Sequence, residues 1–79
     1  VAEIKYVIKK NNNRNHYIKK FGKTEYHIIL TSVITKALTF DDKETAKNMI
    51  EKHNAIDYKI IKARYYMNGN NLIGKEMGQ

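Results

Sequence analysis

Residues 40–54, FDDKETAKNMIEKHN, decide the architecture, because a start signal, a helical period and a stop signal coincide there. Asp41 stands where an N-cap belongs, and Glu44 three residues later completes a capping box, each side chain satisfying a backbone N–H that the first turn leaves open. Ala46, Met49, Ile50 and His53 then recur at helical spacing. Asn54 can close the helix in the left-handed conformation that asparagine tolerates. Everything outside this stretch reads as strand or turn, so the expectation is one amphipathic helix laid across a small sheet.

Upstream, residues 3–10, EIKYVIKK, alternate with Ile4, Tyr6 and Ile8 on one side and Glu3, Lys5 and Lys9 on the other, the period of a half-buried strand in which Val7 breaks the polar side. The asparagine-rich run 11–15 is a turn, since asparagine accepts positive φ and bonds its own backbone. Residues 16–21 form a second strand, Gly22 permits a reversal, and residues 26–31 form a third. Residues 32–40, SVITKALTF, carry mixed signals and read as a turn or short strand delivering Phe40 to the helix. Downstream, residues 57–66, DYKIIKARYY, are apolar on both sides, with Tyr58 and Ile60 opposite Ile61, Ala63 and Tyr65, the pattern of a strand covered on both faces. The glycine-containing remainder, 67–79, reads as a flexible C-terminal tail. The expected fold is therefore α+β, three to four antiparallel strands packed on one helix in the order β-β-β-α-β, with a single domain at 1–66. Its expected core is Ile4, Tyr6, Ile8, Ile18, Ile28, Phe40, Ala46, Met49, Ile50 and Ile60, with Leu38 beside them.

With 79 residues the chain is one domain, and it has no cysteine, so neither a disulfide framework nor a thiolate metal site supports the core. No apolar run reaches the roughly 20 residues that span a bilayer, and the start lacks the marks of a signal peptide, so the expected home is the cytoplasm. The first residue is Val1, which reads as a trimmed start. The net charge of +7 suits an anionic partner, either nucleic acid or an acidic protein surface. Of the fifteen basic residues only Arg14 and Arg64 are arginine, and the abundance of Lys, Asn, Ile and Tyr is also what AT-rich codons supply. Residues 1–40 hold eight Lys or Arg against Glu3 and Glu25, whereas the helix is nearly neutral, so the hairpin side is the expected electrostatic face.

Residues 69–75, GNNLIGK, match the first seven positions of the phosphate-loop pattern G-x-x-x-x-G-K, but Glu76 replaces the hydroxyl residue that would hold magnesium, and no helix follows to face a phosphate. His16, His27 and His53 lack the spacing and acidic neighbours of a metal site. Asp41, Asp42 and Glu44 are accounted for by the helix start. An acid and base pair also needs a cleft, and one helix on a small sheet has little depth to make one. The reading is a non-enzymatic protein with no cofactor and no metal. Aromatic residues interleave with lysine at KYVIKK, HYIKKF and KIIKARYY, a pattern shared by sheets that stack bases and by ordinary strand-forming tyrosines. The candidate contact residues for a protein or nucleic-acid partner are Lys9, Lys10, Arg14, Lys19, Lys20, Lys23, Arg64 and Tyr66.

The segments YVIKK, HYIKKFGKT, ITKALTFDDKETAKNMIEKHN and DYKIIKARYY, in that order, resemble small uncharacterised accessory proteins encoded by temperate phages of low-GC Gram-positive bacteria, of the staphylococcal type. The likeness covers residues 4–66 and brings no catalytic motif. It implies a protein of the host cytoplasm that binds, and by binding inhibits, a host macromolecule such as a defence nuclease or a replication or transcription factor. The basic charge argues against a DNA mimic, which would be acidic. Two mechanisms follow from it: a sheet face or edge docked on an acidic patch of a host protein, or the lysine and tyrosine-rich sheet and hairpin holding nucleic acid. A homodimer through an open sheet edge is compatible with the pattern, which does not specify one.

Overall fold

The computed structural model describes residues 2–24 and 27–78. Its elements are β1 (Glu3–Lys10), β2 (Tyr17–Phe21), β3 (Ile28–Thr31), a 3-10 turn (Ile34–Lys36), α1 (Lys43–Lys52), β4 (Tyr58–Asn68) and β5 (Asn71–Glu76). The strands form one curled antiparallel sheet in the order β3-β2-β1-β4-β5. The α+β class and the single helix agree with the sequence pattern, but the sheet has five strands rather than three or four. The extra strand comes from the segment expected to be a flexible tail. Its first residues, Met67 and Asn68, finish β4, Gly69 and Asn70 turn the chain, and residues 71–76 pair back along β4. Gly69 has φ 65°, the glycine-first geometry of a tight hairpin.

Helix α1 starts one residue later than expected. Asp42 is the N-cap, accepting a hydrogen bond from the Thr45 backbone N–H at 2.7 Å, and that bond holds its carboxyl below the usual aspartate value. Glu44 therefore lies within the first turn and makes no capping box, while Asp41 accepts a bond from the Lys5 ammonium. The far end follows the expectation. Asn54 has φ 53°, and the Ala55 and Asn54 N–H groups donate back to Ile50 O and Glu51 O, a Schellman closure with Ala55 buried beneath it.

Two clusters fill the two faces of the sheet. Under α1 lie Ile8, Ile18, Phe40 and Ala46, with Tyr6, Leu38, Met49, Ile50 and Ile60 packed against them, much as the alternation of β1 implied. On the other face lie Val7, Tyr17, Ala37, Ala63 and Tyr65, covered by Ile34 of the 3-10 turn. Val7 is 0% exposed, whereas Ile4, assigned to the core from its alternation, is 43% exposed. The difference arises because residues 32–40 fold over the side of β1 that the pattern marks as polar. The Tyr65 hydroxyl donates to Ile34 O at 2.9 Å and fastens that turn to the sheet. Gly74 belongs to the same contact: a Cβ there would fall 2.7 Å from the Tyr65 ring and 2.9 Å from the Ile34 side chain.

Strands β1 and β2 pair directly only near Lys9 and Tyr17. Beyond that point they part, and residues 38–40 fill the gap. Leu38 N–H donates to Ile18 O, while Tyr6 and Phe40 exchange both backbone bonds at 2.8 Å. The expected third strand began at Tyr26. Glu25 and Tyr26 lie outside the described residues, and β3 begins at Ile28.

Candidate functional site

Side-chain alternation along β4 builds the candidate surface. Ile60 faces α1, and two-residue steps carry Lys62, Arg64 and Tyr66 along the same face past the end of the helix. The register of β5 sets Lys75 opposite Arg64 and Ile73 opposite Tyr66. On the other side, β1 sets Tyr6 opposite Lys62 and Ile4 opposite Arg64. Lys62, Arg64 and Lys75 are exposed, and Tyr66 and Ile73 form the next, half-buried row beyond Arg64 and Lys75. The Arg64 guanidinium stands 5.0 Å from the centre of the Tyr66 ring. Among the described residues, no ion pair involves Lys62, Arg64 or Lys75. A shallow hollow of about 350 Å³ borders this face, where Lys43 at the start of α1 and Met77 meet Tyr6, Ile60 and Lys62.

The opposite face treats its cations differently. Lys5 pairs with Asp41 and Glu3. Lys9 pairs with Glu76 at 2.7 Å and lies 5.7 Å over the Tyr17 ring, and the Tyr17 hydroxyl donates to the same carboxylate. Burial, reinforced by the bond to Glu76, pushes the Tyr17 phenol well above its ordinary value. Burial alone would raise the Glu76 carboxyl, but the Lys9 ammonium, the Tyr17 hydroxyl and the nearby Lys59 outweigh it and hold the group below the ordinary glutamate value.

The residues singled out in the sequence therefore separate. Lys9 is 13% exposed and occupied inside the fold. Lys10 closes β1 opposite Tyr58, and Arg14 is exposed in the asparagine turn, its backbone N–H bonded to Asn12 Oδ1 at 3.0 Å. Lys19 marks a bulge in β2, Lys20 faces out opposite Ile29, and Lys23 is exposed in the turn after Gly22, all on the β3 side of the sheet. Arg64 and Tyr66 share the uncovered face across β1 and β2 from those lysines. Lys62, Ile73 and Lys75 complete that face and were missed. Alternation in DYKIIKARYY already puts Lys62 with Arg64, whereas Lys75 joins them only through the register of β5.

Other candidates have structural explanations. The G-x-x-x-x-G-K match is the β4–β5 turn and β5 itself, with Gly74 seated under Tyr65. His53 stacks on Phe21 with ring centres 4.2 Å apart, and His16 meets Asn12 at 3.3 Å. Among the described residues, no three of the His, Asp and Glu side chains gather into a group able to hold a metal ion. Nor is any helix there long and apolar enough to cross a membrane. Compared with family models, curated proteins and solved structures, the chain matches none.

Proposed function

We propose that this chain is a non-enzymatic binding protein whose partner is an anionic macromolecule, engaged on the β4–β5 face that α1 leaves uncovered. One observation carries the reading: Arg64 and Lys75 oppose each other across adjacent strands, Lys62 lies beside them, and no acid neutralises them among the described residues. Like charges directly opposite on a sheet destabilise it, and an anionic partner removes that cost. In the setting that the phage resemblance implies, the partner is a macromolecule of the host cell, and the protein acts by occupying it.

The test is retention on a sulfated polysaccharide resin at low salt, comparing the parent with Lys62→Gln/Arg64→Gln/Lys75→Gln. The triple variant is expected to elute at clearly lower salt than an equally charged variant altered at Lys19, Lys20 and Lys23. Equal elution of the two would sink the assignment of the face. A second reading, a host protein docked along the β5 edge, is supported by the cross-strand neighbours Met67 and Leu72, which are 59% and 49% exposed. Capture from a nuclease-treated host lysate, lost on Met67→Ser/Leu72→Ser, is its expected signature.

A further inference from the structure

We infer that the β4–β5 face binds single-stranded nucleic acid, with Lys62, Arg64 and Lys75 on phosphates and Tyr66 stacked on a base. This deepens the anionic-partner reading and rests on it. An acidic protein patch needs only the cations, whereas this face sets an aromatic ring at the end of their row, and a ring with an open side is what an unpaired base requires. Tyr66 is half-buried, with Arg64 over it and Ile73 as its cross-strand neighbour, so its plane is held by its surroundings before a ligand arrives. Arginine beside an aromatic ring adds its own planar surface to such a platform.

The spacing suits a strand that is not paired. Lys62 and Arg64 are two residues apart on one face, so their stems start about 7 Å from each other, and Lys75 begins about 5 Å to the side of Arg64. Lys62 and Arg64 thus form a row that can follow a phosphate backbone, with Lys75 beside Arg64 as a third contact, while Ile4 and Tyr6 on β1 extend the apolar floor on which bases can lie. A duplex hides its base faces and would gain nothing from Tyr66. The β4–β5 ribbon is also backed by the 3-10 turn on its other side, which works against its entry into a groove as a bare ribbon. The contacts are to phosphates and ring faces, so binding is expected to be indifferent to sequence.

Anisotropy of a fluorescent oligothymidylate tests this. With three phosphates neutralised, the slope of log affinity against log salt is expected near about −2, a loss of about 20-fold between roughly 50 and 200 mM. Tyr66→Leu is expected to weaken binding about tenfold at unchanged salt slope, because it removes a stack and no charge. Arg64→Gln/Lys75→Gln is expected to flatten the slope to less than half, with a thermal melt no lower than the parent's, which separates loss of contact from loss of fold. Lys20→Gln/Lys23→Gln, which removes the same two charges, serves as a charge-matched control and should retain most of the affinity. Absence of binding at low salt, preference for duplex of the same length, or an unaltered affinity in Tyr66→Leu overturns the inference. If the oligonucleotide fails but retention on the sulfated resin still depends on Lys62, Arg64 and Lys75, the partner is an acidic protein surface. If both fail, the anionic-partner reading falls as well.

Discussion

Lys9 faces Lys59 across β1 and β4, and Arg64 faces Lys75 across β4 and β5. The first pair lies on the face under the 3-10 turn, where Glu76 reaches Lys9 at 2.7 Å, Lys59 is near enough to act on the same carboxylate, and Tyr17 donates to it. The second pair lies on the helix side of the sheet, past the end of α1, and has no carboxylate paired with it among the described residues. The same sheet therefore neutralises one like-charge contact and leaves the other open. Burial explains the difference. Lys9, whose side chain is 13% exposed, needs a partner within the fold, whereas Arg64 and Lys75 are exposed and are tolerated because water screens them. That tolerance leaves the second pair available to an outside anion.

The largest effect is expected where the neutralised side is broken. Glu76→Lys would set a third cation beside Lys9 and Lys59 and is expected to cost about 3 kcal/mol or more in chemical denaturation. If the loss is under about 1 kcal/mol, Glu76 is not what neutralises that face. Next comes Gly74→Ala, whose Cβ would press on Tyr65 and Ile34. Overpacking there is expected to cost about 1–3 kcal/mol, read as a lower urea midpoint. A midpoint equal to the parent's would mean that the 3-10 turn yields freely.

Acid should act on the same side. Folding lowers the Glu76 carboxyl below its ordinary value of 4.5, so its stabilisation is fully present above that pH and is lost as pH falls through the lowered value. Asp42, lowered from 3.8 by its capping bond, contributes in the same direction and in a lower range. Denaturation midpoints at a series of pH values from 7 down to 3 should therefore fall in the acid range, and Glu76→Gln should start lower and fall less steeply. Parallel curves for parent and variant would remove Glu76 from the account. The smallest effect belongs to the open side. Lys75→Glu turns a repulsive cross-strand pair into an attractive one and is expected to raise stability by about 0.5 kcal/mol while abolishing oligonucleotide binding. A decrease in stability would show that Arg64 and Lys75 do not oppose each other as described.

Much of the helix side was readable in advance. Ile8, Ile18, Phe40 and Ala46 were in the expected core because their spacing follows strand and helix periods, and each is buried. The second core was legible only in part: the alternation of β4 marks Ile61, Ala63 and Tyr65 as a second apolar face, but Val7 and Tyr17 join it only because a turn remote in sequence covers them. Strand β5 was overlooked for a related reason. NLIGKE is a poor strand by composition, and what holds it is the Gly69 turn, the ladder to β4 and the Glu76 contact with Lys9. Of the candidate contact residues, only Arg64 and Tyr66 lie on the uncovered face, and Lys9 is consumed internally.

Local signals in the chain determined the class of the protein, the position of its helix, the extent of β1 and the asparagine that closes α1, since capping and periodicity act over a few residues. Tertiary structure alone decided which lysines remain available to a partner. Whether a cation finds a carboxylate depends on which strands become neighbours, and Lys9 and Glu76, 67 residues apart, meet only once the sheet has closed.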